Sequence, residues 1–241
     1  MKLLKLVVSL LAFALASQLA HAIILSGNIE HIQPKYATDP DVTPAMEADI
    51  AAATFVKLTV PFTESDPDYT VGQNNFDDFN FYGFDEDQNV MTTHDHTPDV
   101  GIGLLPMGTT VASHYVFWDP ITLSLDPNRA FHICGSVLFD ANILAIFTQT
   151  DPLFDTDYLA NTGVTYLNPE LRGLETPPNI AEIDPLNPKQ LKVNWNSSSP
   201  GDYVRVLTEC SRGAKVPDSG TTVLLTSLGL LALAGARRLR P

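Results

Sequence analysis

The sequence predicts an all-β fold, an antiparallel β-sandwich of jelly-roll-like type. Strand-length runs of β-branched and aromatic residues recur through the middle of the chain, and Asp-Pro, Asn-Pro or Gly turns separate them. No long amphipathic helix pattern competes for the core. The middle segment, residues 23–215, has 193 residues and is therefore long enough to form one domain with its own core.

The elements can be predicted in chain order. Residues 23–54 are mixed in character, with turns at Asp39-Pro40 and Thr43-Pro44 and one short helix over 44–53. Strands are predicted at residues 53–62, 110–118, 130–139, 143–148, 189–195 and 203–208. The run 143–147 is apolar enough for a strand buried on both faces, although a buried helical turn has the same pattern.

The first 22 residues have the parts of a secretory signal peptide. Lys2 and Lys5 precede an apolar stretch over 6–16, and the small residues Ala20 and Ala22 flank His21. We expect signal peptidase to cleave before Ile23. An uncleaved anchor is the weaker alternative, because the apolar stretch is short for a membrane span.

The C-terminal 26 residues, 216–241, combine three features in order. A short motif comes first, 16 uncharged residues follow over 221–236, and a basic cluster ends the chain. The motif residues are Val216, Pro217, Asp218, Ser219 and Gly220, and the basic residues are Arg237, Arg238 and Arg240. Proline and glycine interrupt regular structure, the uncharged run predicts a membrane helix of about 24 Å, and the arginines would stop translocation.

This tail resembles the PEP-CTERM class of bacterial sorting signals, in the variant whose motif is VPDSG. The resemblance implies that an exosortase, a membrane-embedded protease, cuts near the motif after export. The chain would be held briefly in the inner membrane and then displayed on the cell surface or released into the extracellular matrix. The class also suggests association with extracellular polysaccharide. A permanent tail anchor is the alternative.

Charge excludes one class of function. The whole chain has a formal net charge of −14, and the segment 23–215 carries 27 acidic against 9 basic residues, because five basic residues lie in the two ends. Such a field repels phosphate backbones, so we expect no nucleic-acid partner.

Acidic residues next to aromatic ones suggest calcium, which prefers six to eight oxygen ligands in flexible geometry. The candidates are Asp77, Asp78, Asp85 and Asp87. A second acidic group contains Asp151, Asp155 and Asp157. A solvated acidic loop is the simpler interpretation of both patterns, and no other cofactor is expected.

His94 and His96 stand two residues apart, so both imidazoles would lie on one side of an extended segment, a spacing that can chelate zinc or copper. The third ligand would come from elsewhere, with His114 and His132 as candidates. Two exposed histidines in a polar loop are the alternative.

The two cysteines, Cys134 and Cys210, lie in the exported part, where an oxidising compartment permits a disulfide. A single pair has no framework pattern, so two buried free thiols are the alternative.

No catalytic residue is assigned. Ser113, His114 and Asp119 could belong to a hydrolase, but adjacency in sequence is not triad geometry, and no Gly-x-Ser-x-Gly motif is present. The rings between Phe76 and Phe84 are expected in the core, with sugar binding as the alternative. The leading hypothesis is a non-enzymatic surface or matrix protein. A calcium-assisted carbohydrate-binding module and a secreted hydrolase are the alternatives.

Overall fold

The computed structural model describes residues 22–34, 42–59, 76–121, 130–161, 164, 166, 172–174, 179–198 and 201–210. The signal peptide up to His21, the sorting motif, the membrane helix predicted at 221–236 and the basic tail lie outside these residues. Within the described part of the chain, no helix is long and apolar enough to cross a membrane.

The described residues contain strands and three short helices. The strands are β1 (Ile24–Pro34), β2 (Phe55–Lys57), β3 (Phe81–Asp85), β4 (Val90–Met91), β5 (Val100–Gly101), β6 (Thr110–Trp118), β7 (Phe131–Phe139), β8 (Ile143–Phe147), β9 (Ile180–Ile183), β10 (Gln190–Ser197) and β11 (Asp202–Glu209). The helices are α1 (Pro44–Ala52), α2 (Thr150–Asp155) and a 3₁₀ helix (Asp157–Leu159).

These strands form two sheets. The smaller sheet has the order β1-β7-β10-β9, and the larger has the order β2-β3-β6-β11-β8-β5, with β4 also paired to β6. The pairing of β2 with β3 is parallel, and the other described strand pairs are antiparallel. The chain alternates between sheets along β6, β7 and β8, as in jelly-roll sandwiches. The predicted all-β antiparallel sandwich is therefore confirmed.

The predicted elements are found, with some additions. Helix α1 begins where Pro44 predicts it, and the Thr43 hydroxyl caps it by accepting a hydrogen bond from the Met46 N–H. Of the strand predicted at 53–62, the described residues form β2 over Phe55–Lys57, and residues 60–62 lie outside the described part of the chain. The sequence analysis missed β1, in a segment that it treated as mixed. Strand β1 has register shifts between Ile24 and Ser26 and between Ile29 and His31, and such bulges break the alternation that identifies a strand.

The core between the two sheets is apolar. It joins residues of both sheets, among them Phe81, Val116, Trp118, Ile133, Val137, Ile146, Leu191, Val193, Trp195, Val204 and Val206. The Phe81 and Trp195 rings meet edge to face with their centroids 5.7 Å apart. On β1, a Cβ at Gly27 would lie 2.2 Å from the Phe55 ring, so only glycine allows this ring to pack there.

The other face of the large sheet is also covered. Segments 92–99, 102–108 and 149–161, with Val164 and Tyr166, form what we call the outer layer. It buries Tyr82, Phe84, Tyr115, Phe117, Phe147, Tyr203 and Leu207 of the large sheet against Leu105, Leu153 and Leu159. Strands β6, β8 and β11 are thus covered on both faces, which explains their continuous apolar character. The strand interpretation of 143–147 is confirmed.

Candidate metal centre

A buried ion pair lies between the large sheet and the outer layer. Arg205, in β11, and Glu86, just after β3, are both buried. The guanidinium meets the carboxylate in a fork, with Nε to Oε2 at 2.8 Å and Nη2 to Oε1 at 3.0 Å. Ser113 Oγ and Tyr166 OH donate the remaining hydrogen bonds to Glu86, at 2.6 and 2.7 Å. Both charges are therefore fully satisfied in a dry site.

The third guanidinium nitrogen of Arg205 reaches the outer layer. Its Nη1 donates to Leu153 O and Thr156 Oγ1, each at 2.8 Å, and to Asp157 Oδ1 at 3.1 Å. Asp157 also receives a two-bond contact from Arg172, at 2.8 and 2.7 Å. Burial acts to lower the pKa of Arg205, but the Glu86 carboxylate outweighs it and raises that pKa. The backbone on both sides of Asp155 is therefore fixed to the sheet.

His94, His96 and Asp155 converge in the outer layer. The Asp155 Oδ2 atom lies 2.9 Å from His94 Nε2 and 3.1 Å from His96 Nδ1. One ligand atom from each residue lies within 4.8 Å of the other two, and the two imidazole centroids are 4.1 Å apart. These three groups could hold one metal ion.

The second nitrogen of each imidazole is occupied by a hydroxyl oxygen. His94 Nδ1 lies 3.0 Å from Thr93 Oγ1, and His96 Nε2 lies 2.9 Å from Tyr158 OH. If these nitrogens donate, His94 Nε2 and His96 Nδ1 carry free lone pairs toward Asp155. Outer hydrogen bonds of this kind orient histidine ligands in metal sites.

The backbone around the histidines is also held. His96 and Leu105 exchange two backbone hydrogen bonds, at 2.9 and 2.8 Å, which close the 92–108 segment on itself. The Asp95 carboxylate accepts a hydrogen bond from the Met107 N–H at 2.7 Å. The imidazole of His96 is 1% exposed, and that of His94 is 46% exposed.

Electrostatics favours a neutral imidazole at one position and an ionised carboxylate at another. Burial and the neighbouring His94 lower the pKa of His96, against an opposing effect of Asp155. The hydrogen bond from His94 lowers the pKa of Asp155. Metal ligands must be in these deprotonated forms.

A cleft of about 410 Å³ adjoins the cluster. His96 and Asp155 line it, together with Asp95, Thr97, Phe147, Asp151, Pro152 and Phe154. A small molecule in this cleft would meet two of the three candidate ligands.

A second cluster with metal-ligand chemistry lies on the outer face of the small sheet. His31, His132 and Cys134 place one ligand atom each within 4.8 Å of the others. The bulge between Ile29 and His31 turns His31 to this face, where it would otherwise point into the core. His132 Nε2 lies 2.8 Å from Asn194 Oδ1, and burial raises the pKa of the Cys134 thiol.

The predicted third ligands of the His94–His96 pair are wrong. His114 lies on β6 and contacts Asp85 Oδ1 at 2.8 Å and Thr208 Oγ1 at 3.1 Å. His132 belongs to the small sheet. Asp155, placed by the sequence analysis in a separate acidic group, takes the position instead. The pairing was not visible in the sequence because 61 residues separate His94 from Asp155.

The four calcium candidates do not form one site among the described residues. Asp85 binds Lys57 Nζ at 2.6 Å, His114, and the Ile24 N–H. Although its burial opposes ionisation, these hydrogen bonds lower its pKa. Burial and Glu86 raise the pKa of Asp87. Asp78, beyond the other end of β3, accepts hydrogen bonds from Tyr82 OH and Asn80. Asp77 lies beside it, with positive φ.

The disulfide between Cys134 and Cys210 is not formed, and both residues are free thiols. Cys134 lies in β7 with its side chain on the outer face of the small sheet. Cys210 follows β11 in the large sheet. The two sheets with their shared core separate them, so no bridge can close.

The residues considered for hydrolysis are also separated. Ser113 faces the outer layer and donates to Glu86, whereas His114 faces the opposite side of β6, where its ring packs on Phe139. Asp119 is buried beyond the end of β6. The rings of Phe79, Phe81, Tyr82 and Phe84 are buried, so their interpretation as core is confirmed.

The sequence analysis missed the Glu86–Arg205 pair. The signal that could have found it is an arginine inside an apolar strand, since Arg205 stands in the run Tyr203-Val-Arg-Val-Leu207. A charged residue in a strand covered on both faces requires a buried partner of opposite charge.

The described residues form a two-sheet sandwich whose large sheet is covered on its outer face, and the chain as a whole is acidic. The family comparison identifies the C-terminal segment. Residues 215–240 match the VPDSG-CTERM motif, so the chain carries a PEP-CTERM-like C-terminal sorting signal, as exported proteins of this kind do. Neither the comparison with curated proteins nor that with solved structures finds a match to the chain.

Proposed function

We propose that this protein is displayed on the cell surface or in the extracellular matrix after an exosortase-type protease processes its C-terminal signal. The observation that carries the proposal is the VPDSG-CTERM match at residues 215–240. Motif, uncharged segment and arginine cluster occur there in the order that such processing requires. The membrane helix at 221–236 would be a temporary anchor, since about 24 Å is short for a hydrocarbon core of about 30 Å.

The other end of the chain supports the same route. A signal peptide cleaved by signal peptidase before Ile23 would deliver the domain across the inner membrane. In the folded domain, Ile23 N–H donates to Asp140 Oδ1 at 2.9 Å, and Asp140 N–H donates back to Ile23 O at 3.1 Å. Both hydrogen bonds involve Ile23 itself, so a chain cleaved before Ile23 would still contain the groups that form them.

We propose a non-enzymatic role for the folded domain. Ser113 and His114, the nearest approach to a nucleophile and base in the sequence, lie on opposite sides of β6 and are each engaged in separate hydrogen bonds. The aromatic cluster between Phe79 and Phe84 is buried, so it offers no ring surface to a sugar. Extracellular polysaccharide is the proposed partner on the basis of the sorting class.

Intact mass of the protein recovered from surface and membrane fractions of the producing cells tests the proposal. We expect a species that begins at Ile23 and ends between Val216 and Gly220, with or without an added group. A chain that keeps Arg238 to Pro241 in the surface fraction would contradict exosortase processing.

A motif variant sharpens this test. Replacing Pro217 and Asp218 by alanine should leave the full-length C-terminus in the inner membrane. Replacing Ser211 and Arg212 by alanine is the matched control, since these residues lie just before the matched segment, and processing should continue. Processing of the motif variant at the wild-type rate would overturn the assignment of the motif while leaving export intact.

A further inference from the structure

The outer layer contains a group of side chains that the sorting function does not use. His94, His96 and Asp155 place one ligand atom each within 4.8 Å of the other two. We propose that His94 Nε2, His96 Nδ1 and Asp155 Oδ2 bind one divalent transition metal ion, with Zn²⁺ as the best match. The inference goes beyond the proposed function and does not depend on it.

The distances suit a single ion. Zn²⁺ binds imidazole nitrogen and carboxylate oxygen at about 2.0–2.1 Å, which places tetrahedral ligands about 3.3 Å apart. The Asp155 oxygen lies 2.9 and 3.1 Å from the two histidine nitrogens. Only small movements would therefore be needed to admit the ion, and the exposed His94 side chain can make them.

The outer hydrogen bonds suit a metal site as well. Thr93 Oγ1 and Tyr158 OH each contact the ring nitrogen that faces away from the cluster. A hydroxyl can accept a hydrogen bond from that nitrogen, and the tautomer in which it does so leaves the other nitrogen free for a metal, which is the arrangement found around ligating histidines.

The support of Asp155 comes from the buried network. Arg205 Nη1 holds Leu153 O and Thr156 Oγ1, and these residues flank Asp155. Arg205 acts as a positioning residue, because it sets the place of a ligand that it does not touch. The sheet thereby fixes the carboxylate opposite two histidines that arrive from a distant segment.

Three protein ligands leave at least one coordination position for water or a small ligand. His96 and Asp155 both line the cleft of about 410 Å³, so this position would open toward it. Two imidazoles and one carboxylate suit Zn²⁺ and related first-row metals better than Ca²⁺, which prefers oxygen ligands alone.

The test uses the purified full-length chain in detergent, stripped of metal with a chelator and then titrated with Zn²⁺. We expect one equivalent to bind at the His94 site and to raise the Tm. His94→Ala and Asp155→Asn should each weaken Zn²⁺ binding at least about 10-fold, the smaller limit known for metal-site variants. Absence of Zn²⁺ binding by the wild-type chain would overturn the proposal.

The second cluster provides the matched control. His132→Ala removes a ligand from the His31–His132–Cys134 group and should leave the His94 site intact. Loading with Co²⁺ separates the two sites, because only Cys134 can give a thiolate charge-transfer band. A Co²⁺ spectrum without that band, altered by His94→Ala, supports the proposal. A thiolate band that Cys134→Ser removes, with no effect of His94→Ala, would place the metal on the small sheet and refute it.

Loss of Zn²⁺ binding can be distinguished from destabilisation of the variants. His94 is half-exposed, so its alanine variant should keep the metal-free Tm of the wild-type chain. Tyr158→Phe keeps the ring and deletes the outer hydrogen bond to His96, together with a longer hydrogen bond from the Thr93 N–H at 3.4 Å. We expect it to weaken Zn²⁺ binding, and an unchanged affinity would contradict the outer role of Tyr158 and with it the two-histidine geometry.

Discussion

The two faces of the large sheet are buried in different ways. Toward the small sheet, the interface consists mainly of aliphatic and aromatic side chains such as Val116, Val206 and Trp195, and it also contains the hydrogen bonds of His114. Toward the outer layer, the interface contains Arg205, Glu86 and tyrosines among its apolar residues. The first interface is largely non-directional, because apolar burial depends on area alone. The second is directional, because each hydrogen bond specifies an angle and a partner.

This difference teaches why the candidate metal centre lies where it does. A sandwich core holds two sheets together but tolerates small relative shifts of its side chains. A site built from distant segments needs positions fixed to within a fraction of an ångström. The ionic network supplies this precision at a cost in desolvation, since buried pairs add little to stability over apolar residues.

The largest effect should come from breaking the network on one side only. Arg205→Leu leaves the Glu86 carboxylate buried without its cation and should lower the free energy of unfolding by about 3–5 kcal/mol. Urea unfolding measures this. The double variant Glu86→Leu with Arg205→Leu removes both charges and should regain a large part of the loss. If the single and double variants are equally unstable, charge burial is not the cause.

The apolar interface should respond differently. Leu191→Ala removes a fully buried side chain of β10 and should cost about 2–5 kcal/mol, as a cavity in a packed core does. Leu191 lies in the core between the two sheets, and the outer layer covers the opposite face of the large sheet. Zn²⁺ affinity at the His94 site should therefore stay unchanged in the folded Leu191→Ala variant.

Asp157→Asn, which weakens the contacts of Arg172 and Arg205, should lower that affinity instead. Equal effects on affinity would remove the distinction between the two interfaces.

The same contrast explains what the sequence predicts well. The sandwich follows from local patterns, because runs such as Thr110–Trp118 and Phe131–Phe139 carry their own β signal. The sorting signal is also local, and the motif beginning at Val216 identifies it. Strand β1 was not predicted, because its bulges disturb the alternation of apolar and polar residues. Asp155 and the partner of Arg205 could not be found, since they depend on contacts between segments 61 and 119 residues apart.

Asp119 is a second buried carboxylate, and it allows a comparison with Glu86, which has Arg205 as its cation partner. Burial raises the pKa of Asp119 to about 7, the N–H groups of Phe76 and Asp77 oppose the rise, and the charges of Asp77 and Asp78 add to it. The raised folded-state pKa means that stability is fully present below the unfolded value of about 3.9 and is lost as the pH rises toward 7. Asp119→Asn should remove this loss and stabilise the protein at pH 8 by on the order of 4 kcal/mol, because about three pKa units separate the two states and each is worth about 1.36 kcal/mol.

Chemical unfolding of both proteins at pH 5 and pH 8 measures the difference. At pH 5 the folded-state carboxyl is protonated whereas the unfolded-state carboxyl is ionised, so part of the loss is already present, and the advantage of Asp119→Asn should be about 2–3 kcal/mol smaller than at pH 8. An Asp119→Asn variant with the same advantage at both pH values would place the effect in packing and not in ionisation.

The smallest effect concerns the start of the folded domain. In the full-length chain, Ile23 N–H is a peptide donor to Asp140 Oδ1 at 2.9 Å. After cleavage before Ile23, the same nitrogen becomes an ammonium group, and the hydrogen bond becomes an ion pair at a partly exposed position. Asp140→Asn should therefore destabilise the chain that begins at Ile23 by about 0.5–1 kcal/mol more than the chain that retains residues 1–22, the usual range for exposed pairs. High salt should reduce this difference, because exposed charges are screened whereas the buried Glu86–Arg205 pair is not. An equal cost in both chains would show that cleavage creates no ion pair at Asp140.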